Sequence, residues 1–219
     1  MKKYALILAG GKGSRMGKKT PKQFLQLHGK AILIHTLERF IQAIPDLNFV
    51  LVLPKDQTDR WAKISHGTAF QDTPIAFGGN ERTDSVRSGL DLVPDGALVG
   101  IHDAVRPLVS IKSILSCYQT AEELGNAIPV TPLTDSIRLV EGKDSSALDR
   151  ANFVAVQTPQ CFHSEAIKKA YQDLEGKFTD DASVMESSGA QINLVAGNVE
   201  NIKITTPVDL VLAEQLLAK

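Results

Sequence analysis

Short apolar runs alternate along the chain with stretches whose apolar positions recur every three or four residues. The first run, residues 4–8 (Tyr-Ala-Leu-Ile-Leu), predicts a buried strand. A glycine-rich segment follows. Leu33, Leu37, Phe40, Ile41 and Ile44 then mark one face of a helix over 32–44, which Pro45 and Asp46 end. Residues 48–53 predict a second strand, apolar throughout. Helical spacing returns over 57–64, 82–92, 111–124, 164–174, 182–187 and 208–218. Strand-like runs return over 74–77, 98–102, 127–130, 153–157, 192–195 and 202–205. Strands that are apolar on both faces and alternate with helices predict a three-layer α/β/α fold around a mostly parallel sheet. In such sheets ligands bind beyond the carboxyl ends of the strands, so the chemistry is expected in the segments that follow them.

One stretch breaks the rhythm. Residues 131–152 carry Asp135, Arg138, Glu141, Lys143, Asp144, Asp149 and Arg150 without a sustained helical period. Residues 136–140 alternate as a strand does, and Glu141-Gly142-Lys143-Asp144 signals a turn. The pattern fits a protruding β-arm or a plain surface hairpin. Ile137 and Leu139 would share one apolar face, which a second copy of the chain could cover.

Composition narrows the function. At 219 residues with 43% hydrophobic and 22% charged residues, the chain reads as one globular domain. Lys and Arg total 24 against 25 Asp and Glu, so there is no general basic field for nucleic acid, and any anion site must be local. The apolar stretch at residues 5–9 is too short for a membrane span or a signal segment. Cys117 and Cys161 form no CxxC motif and suit a reducing, cytoplasmic setting. His28, His35, His66, His102 and His163 show no zinc-binding spacing.

Four groups of residues carry the chemistry. In the first, Ala9-Gly10-Gly11-Lys12-Gly13-Ser14-Arg15-Met16 follows the first strand and precedes Pro21-Lys22-Gln23. Glycines there turn the backbone tightly and aim N–H groups at an anion, while Arg15 and Lys22 add fixed positive charge, so the segment predicts a triphosphate cradle. A dinucleotide-binding loop would open directly into a helix, and Pro21 interrupts that. Second, Gly78-Gly79-Asn80-Glu81-Arg82-Thr83-Asp84-Ser85-Val86 links a strand to a helix, with Asn80 as a candidate N-cap and Ser85 one turn in. Third, His102-Asp103-Ala104-Val105-Arg106-Pro107 places a carboxylate at a strand tip. Asp103 could hold Mg²⁺, which takes few protein carboxylates, or could simply pair with Arg106; His102 reads as structural. The fourth group is Gln157-Thr158-Pro159-Gln160, Thr179-Asp180-Asp181-Ala182-Ser183 and Glu200-Asn201-Ile202-Lys203-Ile204-Thr205. Thr179 or Asp180 could cap a helix, and Lys203 points either to solvent or into a site.

Taken in order over residues 4–217, these motifs resemble those of the 2-C-methyl-D-erythritol 4-phosphate cytidylyltransferases of the non-mevalonate isoprenoid pathway. The resemblance implies a Rossmann-like nucleotidyltransferase fold with a protruding arm, and a homodimer with exchanged arms. It implies CTP and methylerythritol phosphate as substrates and Mg²⁺ as cofactor. By the same resemblance, Arg15, Lys22 and Lys203 are catalytic, and Ala9, Gly10, Gly11, Gly13, Gly79, Arg82, Ser85 and Ala104 bind the nucleotide. Arg106, Ser136, Arg150 and Thr179 hold the acceptor, with Ser136 and Arg150 reaching into the neighbouring subunit, and Asp103 holds the metal, leaving open whether Glu200 joins it. The Ala9-Gly10-Gly11 start and the valine of the third motif also occur in ribitol-5-phosphate cytidylyltransferases, and Ser136 stands where threonine is common. The ribitol enzyme and a non-catalytic nucleotide-binding module are therefore the alternatives. The reaction so implied needs no general base, because the acceptor phosphate is already an anion. Positioning and charge neutralisation suffice.

Overall fold

A computed structural model of the chain describes residues 1–11, 20–173 and 178–218. Its central sheet has eight strands: β1 (Lys2–Leu8), β4 (Asn48–Leu53), β5 (Ile75–Phe77), β6 (Ala97–Asp103), β7 (Asn126–Pro132), β10 (Val154–Val156), β11 (Gln160–His163) and β12 (Leu194–Ala196). The order is β10-β7-β11-β6-β1-β4-β5, with β12 also paired to β7. β1 runs parallel to β4 and β6, β4 to β5, and β7 to β12; β10 and β11 run antiparallel to their neighbours. The sheet is therefore mixed and mostly parallel, as the pattern predicts.

Helices cover both faces. Ala5 and Ile7 of β1 pack with α1 (Ile32–Ala43) and α4 (Ile111–Leu124), together with Trp61 of α2 (Thr58–Ser65). Leu6 turns to the opposite face, where it joins α3 (Arg82–Leu90), α5 (Ser164–Gln172) and α6 (Asp181–Ser187). Alternate residues of one strand thus enter two different cores, which is why the strand reads as continuously apolar. All seven residues of β6 are buried. A Cβ on Gly100 of that strand would lie 2.5 Å from the Tyr118 hydroxyl. The glycine lets α4 sit close enough for Tyr118 to donate to the Tyr4 carbonyl at 2.6 Å.

A third, smaller cluster lies beside the layers. It joins the hairpin of β2 (Gln26–Leu27) and β3 (Lys30–Ala31) to α7 (Pro207–Leu217) through Leu27, Ile32, Val105, Leu108, Ile204 and Ala213. His28 (φ +46°) and Gly29 (φ +77°) make the two-residue turn of that hairpin. α7 begins with a capping box between Thr206 and Asp209 around Pro207.

Residues 131–152 contain a separate hairpin of β8 (Ile137–Glu141) and β9 (Asp144–Leu148), registered from Ile137↔Leu148 to Glu141↔Asp144. Its turn uses Gly142 at φ +63°. Leu139 is 45% and Val140 68% exposed, on alternate faces of β8.

The structure corrects three expectations from the pattern. β11 and the β2–β3 hairpin are additional, because their runs are too short to show a period. Residues 202–205 are not a strand. Ile204 N–H bonds the Val105 carbonyl at 2.9 Å, and no strand is assigned over this run. The N-cap of α3 is Glu81, in a reciprocal box with Asp84, rather than Asn80.

Candidate active site

The ends of β1, β5 and β6 open into two adjoining cavities. The first, about 350 Å³, is walled by Ala9, Gly10, Gly11, Lys22, Gly79 and Ser85. The second, about 600 Å³, is bordered by Arg106, Thr158, Gln160, Thr179 and Asp180, with an apolar wall of Ile128, Val156 and Leu194. Arg82, Asp103 and Lys203 line both.

The first cavity follows from glycine and from one buried amide. A Cβ on Gly79 would fall 2.3 Å from Asp84 Cβ, so only glycine fits where this loop meets α3. Ser85 Oγ accepts from Gly79 N–H and donates to the Glu81 carbonyl, both at 3.2 Å, which fixes the loop against the helix. Ala9 is held from both sides: its N–H reaches the Val52 carbonyl at 2.9 Å, and its carbonyl accepts from Gln23 Nε2 at 2.6 Å. Gln23 is buried in the 3-10 turn Lys22–Phe24, so the Pro-Lys-Gln motif ties Lys22 to the glycine segment through its glutamine.

Asp103 is the centre of charge. Lys203 Nζ and Arg106 Nε each lie 3.1 Å from its Oδ2. Burial alone would raise the Asp103 pKa, but Lys203, Arg106 and Arg82 outweigh it and hold the carboxyl well below the usual carboxylate range. Lys203 reaches this position by alternation. Ile202 and Ile204 turn into the α7 cluster, and the residue between them turns the other way. That settles where its side chain points.

Behind Asp103 a polar network joins three motifs. Asp103 N–H donates to Thr158 Oγ1 at 3.2 Å, and Thr158 Oγ1 lies 2.9 Å from His102 Nδ1. His102 Nε2 lies 3.2 Å from the Arg106 carbonyl, which can only accept. The neutral ring therefore carries its proton on Nε2 and receives the Thr158 hydroxyl proton at Nδ1. Arg106 Nη1 donates to the Asn201 carbonyl at 2.8 Å, and Asn201 Nδ2 donates to the Thr158 carbonyl at 2.9 Å. Burial lowers the His102 pKa to about 4 despite the attraction of Asp103. His102 is structural, as the sequence suggests, and it supports the strand tip from within.

Arg82 has a counter-ion of its own. Its Nη1 and Nη2 donate to Asp181 Oδ1 and Oδ2 at 2.8 and 2.5 Å, and the Tyr171 hydroxyl donates to Oδ1 at 2.6 Å. Asp180 caps α6 by accepting from Ser183 N–H at 3.1 Å.

Of the residues expected at the site, the structure brings together Ala9, Gly10, Gly11, Lys22, Gly79, Arg82, Ser85, Asp103, Arg106, Thr179 and Lys203. Ala104 is fully buried beneath the cavities, with its N–H on the Leu8 carbonyl at 3.1 Å and its carbonyl accepting from Thr36 Oγ1 at 2.8 Å. Ser136 and Arg150 are exposed and line neither cavity; Arg150 Nη1 donates to the Thr134 carbonyl. Glu200 accepts from Asn198 Nδ2 at 3.2 Å and lines neither cavity. Gly13 and Arg15 lie outside the described residues. Sequence reasoning missed the supporting roles of Gln23, Gln160, Asn201 and Asp181. Each stands inside a quoted motif, and only the tertiary contacts give it a task.

A cleft at the carboxyl edge of a mostly parallel sheet, with two compartments sharing an aspartate and two cations, suits an α/β enzyme of the nucleotidyltransferase kind. The profile of the 2-C-methyl-D-erythritol 4-phosphate cytidylyltransferase family matches residues 4–219, and the chain belongs to that family. A protein of that name from Porphyromonas gingivalis is 48% identical over 219 residues, covering 99% of this chain and 98% of the relative. One from Bacteroides thetaiotaomicron is 45% identical, covering 99% and 100%. The crystal structure of the Thermus thermophilus cytidylyltransferase is similar to this fold with a TM-score of 0.80 at 31% identity, covering all of both chains. That of a 4-diphosphocytidyl-2C-methyl-D-erythritol synthase from Anaerococcus prevotii reaches 0.87 at 26% identity, covering 100% and 96%.

Proposed function

We propose that this chain transfers CMP from CTP to 2-C-methyl-D-erythritol 4-phosphate and releases pyrophosphate. The observation that carries the reading is the junction of the two cavities at Arg82, Asp103 and Lys203. CTP takes the first cavity, with its phosphates toward Gly10, Gly11 and Lys22 and its nucleoside toward Gly79 and Ser85. The acceptor takes the second, beside Arg106 and Thr179. The acceptor's phosphate oxygen attacks the α-phosphorus in line, the new P–O bond forms, and the bond to the β-phosphate bridging oxygen breaks. No proton need move. Lys203, at the junction, orients the two phosphates; Lys22, with Arg15, offsets charge on the departing pyrophosphate.

The residues present fit Mg²⁺. Among the described residues no three His, Cys, Asp or Glu side chains cluster as an all-protein cage, and Mg²⁺ bound with a triphosphate asks for one or two carboxylates. Asp103 would hold the ion; Lys203 and Arg106 both meet its carboxylate through Oδ2. When bound, Mg²⁺ supplies further neutralisation of the triphosphate.

The same reading makes residues 1–219 one catalytic unit that works as a homodimer. The exposed arm crosses to the partner, and Ser136 and Arg150 complete its acceptor cavity. No helix among the described residues is long and apolar enough to cross a membrane. Two buried free thiols suit a reducing compartment, and the reading places the reaction in the cytoplasm. The test is pyrophosphate release with CTP, Mg²⁺ and methylerythritol phosphate. Equal or faster turnover with ribitol 5-phosphate would reject the acceptor, and no turnover with either would reject the transferase reading.

A further inference from the structure

Arg82 opens α3 and Asp181 opens α6, so the fork between them ties together the two helices that face the cavities. Asp181 is 0% exposed, whereas the Arg82 side chain keeps 28% of its surface open. Beneath them, Gln160 Oε1 accepts from the N–H groups of Asp181 and Ala182 at 3.0 and 2.8 Å, and Gln160 Nε2 donates to Asp180 Oδ2 at 2.9 Å. Tyr171 closes the back of the carboxylate. A bidentate fork fixes the plane of the guanidinium as well as its position. A buried ion pair adds little net stability over an apolar pair of similar volume, so stability alone is a weak reason for four polar side chains beneath one arginine. Among the described residues, the arginine they hold is one of three that line both cavities.

We propose that Asp181, backed by Tyr171, is the positioning residue for Arg82 and thereby sets the wall that both substrates share. This rests on the two-substrate reading above. Asp181 touches neither substrate; it acts through the arginine. Loss of its charge frees the guanidinium to rotate, which weakens binding on both sides of the wall.

The experiment compares wild type with Asp181→Asn and Tyr171→Phe, each alone and combined with Arg82→Gln. It is run at a temperature where circular dichroism shows every variant folded. CTP affinity is measured by calorimetry and the acceptor KM by pyrophosphate release. Asp181→Asn is expected to weaken CTP binding and raise the acceptor KM by about tenfold each, and Tyr171→Phe by about threefold, the scale of hydrogen bonds to charged and neutral donors. In the Arg82→Gln background neither change should cost anything further. Wild-type binding constants with only a lowered melting temperature would make the cluster a structural tie and overturn the proposal. Equal losses with and without Arg82 would overturn it as well. Should Asp181→Asn not fold, Tyr171→Phe decides by the same readouts. A wild-type protein that binds CTP but transfers nothing would reject the reaction, and the CTP affinities would still judge the positioning role.

Discussion

At the tip of β6, His102 and Thr158 bond each other, the Asn201 amide donates to the Thr158 carbonyl, and the Asp103 carboxylate is held by Arg106 and Lys203. Along the arm, β8 and β9 have the bonds of their own ladder and of Arg138 with Ser145, and most of the hairpin meets solvent. Both regions carry residues assigned to the same reaction. The first keeps fixed charges in fixed places without help from outside the chain. The second has too little buried surface to set its own direction, so its chemistry depends on what it lies against. On the proposed dimer, the difference separates groups that are organised by folding from groups that are organised by assembly.

The largest expected effect falls in the first cavity, which the tip of β6 borders through Asp103. Lys22→Ala should lower kcat about a hundredfold or more, on the order of 3 kcal/mol, the usual cost of losing one contact to developing charge. Circular dichroism melting and steady-state kinetics on the same preparation check it. Near-full kcat, or a large fall in melting temperature, would remove Lys22 from the chemistry.

Arg150→Ala should be nearly as inactive, but through the partner's site. If arms are exchanged, refolding Lys22→Ala together with Arg150→Ala yields hybrids in which one site carries both changes and the other carries neither. Half the dimers are hybrids, so activity should return to roughly a quarter of wild type. No recovery would show that both residues serve the same chain, and the contrast between the two regions would lose its assembly side.

Acid should distinguish the regions next. His102 is buried neutral, with its pKa lowered from 6.5 to about 4. Between those values the unfolded chain binds the proton and the folded chain does not, so stability falls as pH drops from 6.5 toward 4, by at most about 3 kcal/mol. Asp103, held below its ordinary 3.8, loses its contribution only at lower pH. Urea melts across pH 7 to 4 should show this slope, and His102→Gln should flatten it. An unchanged slope would mean that the strand tip is not the acid-sensitive element.

The smallest effect on the fold is expected from Leu139→Asp and Val140→Asp. At such exposed positions the melting temperature of the isolated chain should move little, within roughly 0.5 kcal/mol of stability. Sedimentation should nevertheless show a weaker dimer. A dimer of unchanged strength would place its interface elsewhere.

The sequence by itself determined the alternation of strands and helices, the two buried faces of the sheet and the turn at Gly142. It also placed the glycine, lysine and aspartate motifs after strand ends. Those follow from local rules, because periodicity and glycine act over a few residues. Lys203 shows where that reach ends. Its apolar neighbours read as a strand, yet Ile202 and Ile204 are drawn into the α7 cluster, which turns the lysine onto Asp103, 100 positions away in the chain. Asp181 could be read only as part of a helix start until folding set it under Arg82, and Gln23 meant nothing before its amide met Ala9. The tertiary structure decided these because a buried charge or amide takes whichever partner the packing brings within about 3 Å, and sequence separation does not enter that distance.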